Sequence, residues 1–348
     1  MQSIEHFQER VRAASADKRP LRIRGGGSKD WYGQRLEGEI LDTRGYTGIV
    51  DYEPTELVIT ARCGTPLSEI EAVLAERRQM LAFEPPHFGP DATLGGAIAA
   101  GLAGPRRASS GGVRDFVLGA KLLDGKGDVL SFGGQVMKNV AGYDVSRLLA
   151  GSLGTLGLLL EVSVKVLPKP FAETTLTLEL SEIDAIRKLN EWGGQPLPIS
   201  ASCWHDGVLR LRLSGAQAAV DAARRLIGGD LHADADAFWA DLREQRLPFF
   251  DGMDALWRLS VPSTAGALVL GGTQLIEWGG AQRWLRTDLD AAAVRRTVSA
   301  VGGHATLFRG GDKSSGVFQP PAPAVAHIHE RLKAAFDPAH IFNPGRMY

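Results

Sequence analysis

The chain has 348 residues, more than the roughly 250–300 at which a single hydrophobic core stops growing, so about two domains are expected. Apolar residues make up 44% and charged residues 23%, the composition of a fully folded globular protein. With 39 Lys and Arg against 40 Asp and Glu there is no global field to draw nucleic acid or an anionic membrane, so any anion must be bound locally. Cys63 and Cys203 lie far apart and outside any CxxC, which excludes an iron–sulfur cluster, a structural zinc site or a redox pair built by this chain alone.

Residues Met1–Arg12 place Ile4, Phe7 and Val11 at helical spacing and predict an amphipathic helix, not a signal peptide. Short strand-like runs come next at Leu21–Arg24, Glu39–Asp42, Gly48–Tyr52, Glu56–Arg62, Val117–Leu123 and Val129–Phe132. A helix is predicted over Thr65–Arg77, with Thr65 as cap and Pro66 in the first turn. A second begins after Asp91 and a third holds Tyr143–Ala150. From Thr155 to Leu167 a period of two puts Leu158, Leu160, Val162, Val164 and Val166 on one face of a long, half-buried strand. No apolar run reaches the ~18 residues of a membrane span, so a cytoplasmic protein is expected.

Pro168 and Pro170 mark a boundary. Beyond it, strand-like runs (Thr174–Leu180, Val208–Leu213, Leu256–Val261, Leu268–Leu275, Ala305–Phe308) alternate with helical stretches (Ile183–Trp192, Ala216–Ile227, Ala235–Arg246, Asp290–Ala300). This pattern predicts an α+β layer of antiparallel sheet with helices on one side. A last helix, Ala322–Ala335, leads to the tail Asn343-Pro344-Gly345-Arg346.

Three glycine-rich segments are candidate binding loops. In Arg24-Gly25-Gly26-Gly27-Ser28-Lys29, residues without side chains let backbone N–H groups close on a phosphate, although a flexible turn uses the same residues. A Rossmann reading fails, because the spacing is not G-x-G-x-x-G and residues 30–38 lack a helical stripe. In Pro90-Asp91-Ala92-Thr93-Leu94-Gly95-Gly96, Asp91 or Thr93 can cap a helix of small residues whose positive end suits a pyrophosphate. Tight helix–sheet packing would demand the same small residues. The third segment is Lys138-Asn139-Val140-Ala141-Gly142-Tyr143-Asp144, followed by Gly151-Ser152-Leu153-Gly154-Thr155-Leu156-Gly157.

Taken together, the order R-G-G-G-S, P-D-A-T-L-G-G, K-N-V-A-G-Y-D and G-S-L-G-T-L-G resembles the FAD-binding domain of the vanillyl-alcohol oxidase/PCMH superfamily. Within it the chain is similar, over nearly its whole length, to the small FAD-binding subunits of glycolate oxidase. The resemblance implies a PCMH-type two-part FAD-binding domain over 1–169, a smaller α+β cap domain over 170–320, and a helix and tail over 321–348 returning to the FAD domain. It implies non-covalent FAD, with the pyrophosphate on Gly25, Gly26, Gly27, Ser28 and Lys29 and on Thr93, Leu94, Gly95 and Gly96, and with Arg24, Pro90 and Asp91 also among the cofactor-binding residues. Ser110, Gly111, Gly157, Leu158 and Glu161 would lie along the ribose and adenine, with Gly154 and Asn343 completing the cofactor-binding set.

The implied activity is oxidation of glycolate to glyoxylate within a complex, beside a larger flavin subunit and an iron–sulfur subunit, with any membrane attachment supplied by a partner. Two other readings are a self-sufficient FAD-dependent dehydrogenase of a small 2-hydroxy acid and a non-catalytic flavin-containing assembly module. Catalytic relatives carry several histidines near the flavin, often with a metal. Here the second domain offers mainly His304, with Arg309, Arg258 or Arg283 as carboxylate clamps. A polar strand end would account for the same residues. His327 and His329, two apart on a predicted helix, point different ways, and no metal site is expected. Trp257, Trp278 and Trp284 either wall the flavin or fill a core.

Overall fold

The computed structural model describes residues 3–134, 145–252 and 254–347, and divides into two compact units. The first comprises Met1–Ala103, Gly111–Pro168 and Pro320–Tyr348; the second comprises Gly104–Ser110 and Lys169–Gln319.

In the first unit, helix α1 (Ile4–Ala16) starts at Ser3, whose hydroxyl accepts from the His6 N–H, and buries Phe7, Val11 and Ala14. It runs four residues past the predicted end. Strands β1 (Leu21–Arg24) and β2 (Glu39–Asp42) pair in parallel. A five-stranded antiparallel sheet is built from β3 (Ile49–Glu53), β4 (Val58–Arg62), β6 (Val117–Leu123), β7 (Val129–Gly133) and β8 (Leu158–Lys165), in the order β3-β4-β8-β6-β7. The short strands β5 (Gln79–Met80) and β9 (Leu167–Pro168) pair beside it. Helices α2 (Leu67–Glu76), α3 (Leu94–Ala100), α5 (Val113–Phe116) and α6 (Val145–Leu148) complete this part.

Two expectations are corrected here. Strand β8 is the middle strand and is buried on both faces rather than half-buried: Leu159 and Ser163 of one face are buried, as are Leu160 and Val162 of the other. A bulge between Lys121/Glu161 and Leu122/Leu159 absorbs one residue of it. Thr65 does not cap α2; its hydroxyl instead accepts the Gly48 N–H at 2.9 Å and ties down the preceding turn.

The last helix, α11 (Pro323–Phe336), hands the chain to a tail that lies along β1. Leu21 N–H donates to the Ile341 carbonyl at 2.7 Å and Asn343 N–H to the Leu21 carbonyl at 2.8 Å. The start of the tail is held by buried Asp337, whose carboxylate accepts the Ile341 and Phe342 N–H groups and the Lys333 ammonium.

The second unit carries one eight-stranded antiparallel sheet. Its strands are β10 (Ala172–Glu179), β11 (Ile199–His205), β12 (Val208–Gly215), β13 (Asp230–Leu231), β14 (Ala255–Ser260), β15 (Thr273–Glu277), β16 (Gln282–Thr287) and β17 (His304–Arg309), in the order β13-β10-β12-β11-β15-β16-β14-β17. Helices α7 (Glu182–Gly193) and α8 (Gln217–Ile227) pack on Leu209, Leu211 and Leu213 of β12, and α10 (Ala291–Ala300) on Trp257, Leu259 and Leu307.

Helices do not occupy only one side. The alternate residues of β12, Arg210 and Arg212, meet Phe238 and Trp239 of α9 (Ala235–Glu244), and Trp239 donates to Thr175 at 2.8 Å. The run read as a strand over Leu268–Leu275 begins only at Thr273; Leu268 instead plugs the core from a loop while Val269 is exposed.

The segment 104–110, including α4 (Arg107–Ser110), is fastened to this sheet. Buried Arg106 pairs with Glu173 at 2.7 Å, Ser109 donates to the Ser200 carbonyl at 3.0 Å, and Trp278 donates to the Gly104 carbonyl at 3.1 Å.

Candidate functional site

Strand β1 ends at Arg24 and releases the chain into three glycines, because the backbone path beyond it leaves no space for a Cβ. One added to Gly26 would lie 1.5 Å from the Asp91 carbonyl oxygen. Gly27, at φ 74°, has the Arg24 guanidinium where its own side chain would be. The glycines are therefore demanded by neighbouring protein, not only by room for a ligand.

The loop has one decisive property. Among the described residues, the backbone N–H groups of Gly25, Gly26, Gly27 and Ser28 meet no protein acceptor, while the Gly27 carbonyl takes the Asp30 N–H and the Ser28 carbonyl takes the Trp31 indole. A run of partly buried amide donors without acceptors is an anion-binding concavity.

Helix α3 behaves differently. Thr93 caps it through the Gly96 N–H, but Leu94 N–H donates to the Thr65 carbonyl and Gly95 N–H to the Cys63 carbonyl. Its first amides are spent on protein, so the expectation that its positive end receives a diphosphate loses its donors. What α3 supplies is closeness: a Cβ on Gly25 would lie 2.4 Å from Thr93 Oγ1, and one on Gly95 2.6 Å from the Cys63 Cβ.

Two cavities meet here. One, of 90 Å³, is lined by Arg24 to Lys29 together with Tyr32, Thr93, Gly96 and Arg346. The other, of 70 Å³, is lined by Thr43, Cys63, Gly95, Gly154, Gly157 and Leu158. Both include Ile23, Gly25, Gly96, Ala99, Leu153 and Asn343, so they are two ends of one slot. Burial pushes the Cys63 thiol up to about 12, so it faces the slot as a neutral group.

Positive charge is concentrated at the first end. Arg22 and Arg24 share the Asp30 carboxylate, and Lys29 donates to the His87 carbonyl at 3.1 Å. Buried Arg346 donates to the carbonyls of Lys29 and Asp30, each at 3.0 Å. Burial first, and Arg22 as well, bring its guanidinium down to about 10 against the pull of Asp30. A diphosphate suits this donor set; a neutral or cationic group does not.

Thus Arg24, Gly25, Gly26, Gly27, Ser28, Lys29, Thr93, Gly95, Gly96, Gly154, Gly157, Leu158 and Asn343 converge. Pro90, Asp91 and Leu94 support the slot without lining it, Leu94 being buried in the core. Glu161 is engaged by Lys121 at 2.8 Å on the sheet and does not reach the slot. Ser110 belongs to the second unit, and Gly111 lies outside the lining. The Lys138–Asp144 motif falls outside the described residues. Sequence reasoning missed Tyr32, Ala99 and the role of Arg346. A separate cavity of 510 Å³ in the first unit, bordered by Arg114, Arg147, Ser152, Thr155 and His329, contains none of the Gly25–Ser28 loop.

In the second unit, Arg258 and His304 share one face of the sheet: His304 pairs with Ser260 and Arg258 with Thr306 on neighbouring strands. Partial burial and then the Arg258 charge hold the imidazole below its ordinary value. A bulge sets Arg309 opposite Leu256, and its guanidinium donates to the Phe250 carbonyl at 3.4 Å. Arg283 is not a carboxylate clamp. It is fully buried and spends its donors on the carbonyls of Gly280, Gly266 and Ala265. Trp257 and Trp284 are buried, whereas Trp278 carries the Arg107 guanidinium on its ring at 4.5 Å. Among the described residues, no group of three or more His, Cys, Asp or Glu is placed to hold a metal ion, and no helix is long and apolar enough to cross a membrane.

The family model for an FAD binding domain matches residues 1–133, the part that builds most of the slot. The chain is 52% identical over 340 residues to the glycolate oxidase subunit GlcE of Escherichia coli K12, covering 98% of this chain and 96% of that one. This chain belongs to the GlcE family of glycolate oxidase subunits. It is also 35% identical over 138 residues to the glycolate oxidase subunit GlcD of Bacillus subtilis 168, a match to 39% of this chain and 29% of that protein. A solved alkyldihydroxyacetonephosphate synthase superposes on 99% of the chain and 75% of its own at a TM-score of 0.68 and 15% identity, which shows a shared fold. The GlcE-family chain is thus an FAD-dependent oxidoreductase component of mixed α+β fold, with FAD as its cofactor.

Proposed function

We propose that this chain is the small FAD-holding subunit of a complex that oxidises glycolate to glyoxylate. A larger flavin subunit would carry the main proton-abstracting groups, and an iron–sulfur subunit would take the electrons onward. The observation that carries this reading is the run of four acceptor-free N–H groups from Gly25 to Ser28 in a chain of the GlcE family. When bound, FAD supplies a two-electron acceptor for the hydride leaving the substrate carbon. The chain's own residues hold it: the glycine loop and Lys29 take the diphosphate, while Gly154, Gly157 and Leu158 flank the other end of the slot. Attachment is non-covalent, and the complex works in the cytoplasm, held to any membrane by a partner.

The purified chain should be yellow, release intact FAD on denaturation, and leave that flavin oxidised when glycolate is added without air. Co-purification from native extract should bring down the two partner subunits. Robust glycolate turnover by the isolated chain would contradict the division of labour.

One observation favours a second reading, in which the chain oxidises a small 2-hydroxy acid unaided. Arg258 and His304 stand on one face of neighbouring strands, and partial burial with the Arg258 charge lowers the imidazole pKa, a disposition that suits a base beside a carboxylate anchor. His304→Ala separates the two: loss of flavin reduction with flavin retained supports the second.

A further inference from the structure

The residues 341–346 do more than terminate a helix. Gly345 and Arg346 present their carbonyls to the N–H groups of Arg35 and Gln34 at 3.1 and 2.8 Å, while the Arg346 side chain reaches back to the Lys29 and Asp30 carbonyls. The loop 29–35 is therefore gripped at both ends by one short stretch lying more than 300 residues further along. That stretch is itself immobilised. Asn343 accepts the Ile23 N–H at 2.8 Å through its carboxamide oxygen and donates to the Leu153 carbonyl at 2.6 Å.

Resting on the FAD reading above, we propose that Arg346 is a positioning residue for the diphosphate loop. The planar guanidinium fixes two successive peptide planes immediately beyond Ser28. Those planes set where the Gly25–Ser28 amides point, so the loop is organised before the ligand arrives. Each loop residue that must instead be ordered on binding weakens affinity by on the order of tenfold. Lysine keeps the charge but presents no planar fork, so it cannot hold two carbonyls in fixed relation.

The test uses the full chain stripped of cofactor, as wild type, Arg346→Lys and Arg346→Gln, titrated with FAD, ADP and adenosine by fluorescence and competition. Both substitutions should weaken FAD and ADP by about tenfold or more. Adenosine, which has no diphosphate, should stay within about twofold of wild type, since its contacts lie elsewhere in the slot. Wild-type affinity in Arg346→Lys would make charge the whole effect and overturn positioning. A parallel fall for adenosine would mean general loss of structure and also overturn it. A wild-type chain that binds no FAD would sink the functional reading itself, an outcome distinct from variants that bind like wild type.

Discussion

Lys333 and Asp337 form an ion pair one helical turn apart, 2.5 Å between charged atoms, with side chains only 7% and 0% exposed. The ammonium also donates to the carbonyls of Thr155 and Phe342, so the pair joins α11 to the loop before β8 and to the tail. Asp337→Ala would leave a buried ammonium without its counter-charge, which costs about 3–5 kcal/mol. Denaturant unfolding of the variant should show a loss in that range. A loss below about 1 kcal/mol would mean that water replaces the carboxylate.

Gly26→Ala and Gly95→Ala should both disturb the slot. The first pushes a methyl into the Asp91 carbonyl and must move the loop; the second presses on Cys63. Both variants should lose bound FAD, read from the flavin-to-protein absorbance ratio. Gly193→Ala, whose new methyl would touch nothing within 4 Å, should keep full occupancy.

Glu173 gives the second unit an acid-sensitive fastening. Burial raises its pKa, but Arg212 and Arg106, with hydrogen bonds from Ser214 and Arg106, outweigh that and leave it below the ordinary glutamate value. A carboxylate depressed in the folded state contributes stability above its unfolded pKa and loses it as pH falls through the folded one. Thermal unfolding between pH 7 and pH 3 should thus fall more steeply for wild type than for Glu173→Gln. Parallel curves would show that the pair contributes nothing.

Arg283 supplies three carbonyls with their donor from inside the second unit. Arg283→Met keeps most of the volume yet strands those acceptors, at roughly 1–3 kcal/mol for each one that stays buried. The expected result is a lower unfolding midpoint with flavin content of the remaining folded protein unchanged. Selective loss of flavin would place Arg283 nearer the cofactor than its contacts indicate.

Much of the fold was legible where one face of an element meets water, as in α1, α7 and α10, because the apolar stripe then has a clean period. It was not legible in β11, where Ser200 to Cys203 are all buried and small residues on both faces erase the alternation. Nor was it in β16, where Gln282 and Arg283 interrupt the apolar pattern although both are interior. The slot showed in the sequence through its glycines, since close backbone approach leaves no alternative residue. Arg346 did not, because its targets are backbone carbonyls, which carry no mark in the sequence. The spent amides of α3 were hidden for the same reason.

Ile23 and Asn343 are hydrogen-bonded across 320 positions. At about 5–20 residues per second, a ribosome delivers the second partner roughly 15–60 s after the first. Through that interval β1 and the glycine loop behind it lack the bracket that finishes them. If this loop holds the flavin diphosphate as proposed, cofactor capture is a late, whole-chain event.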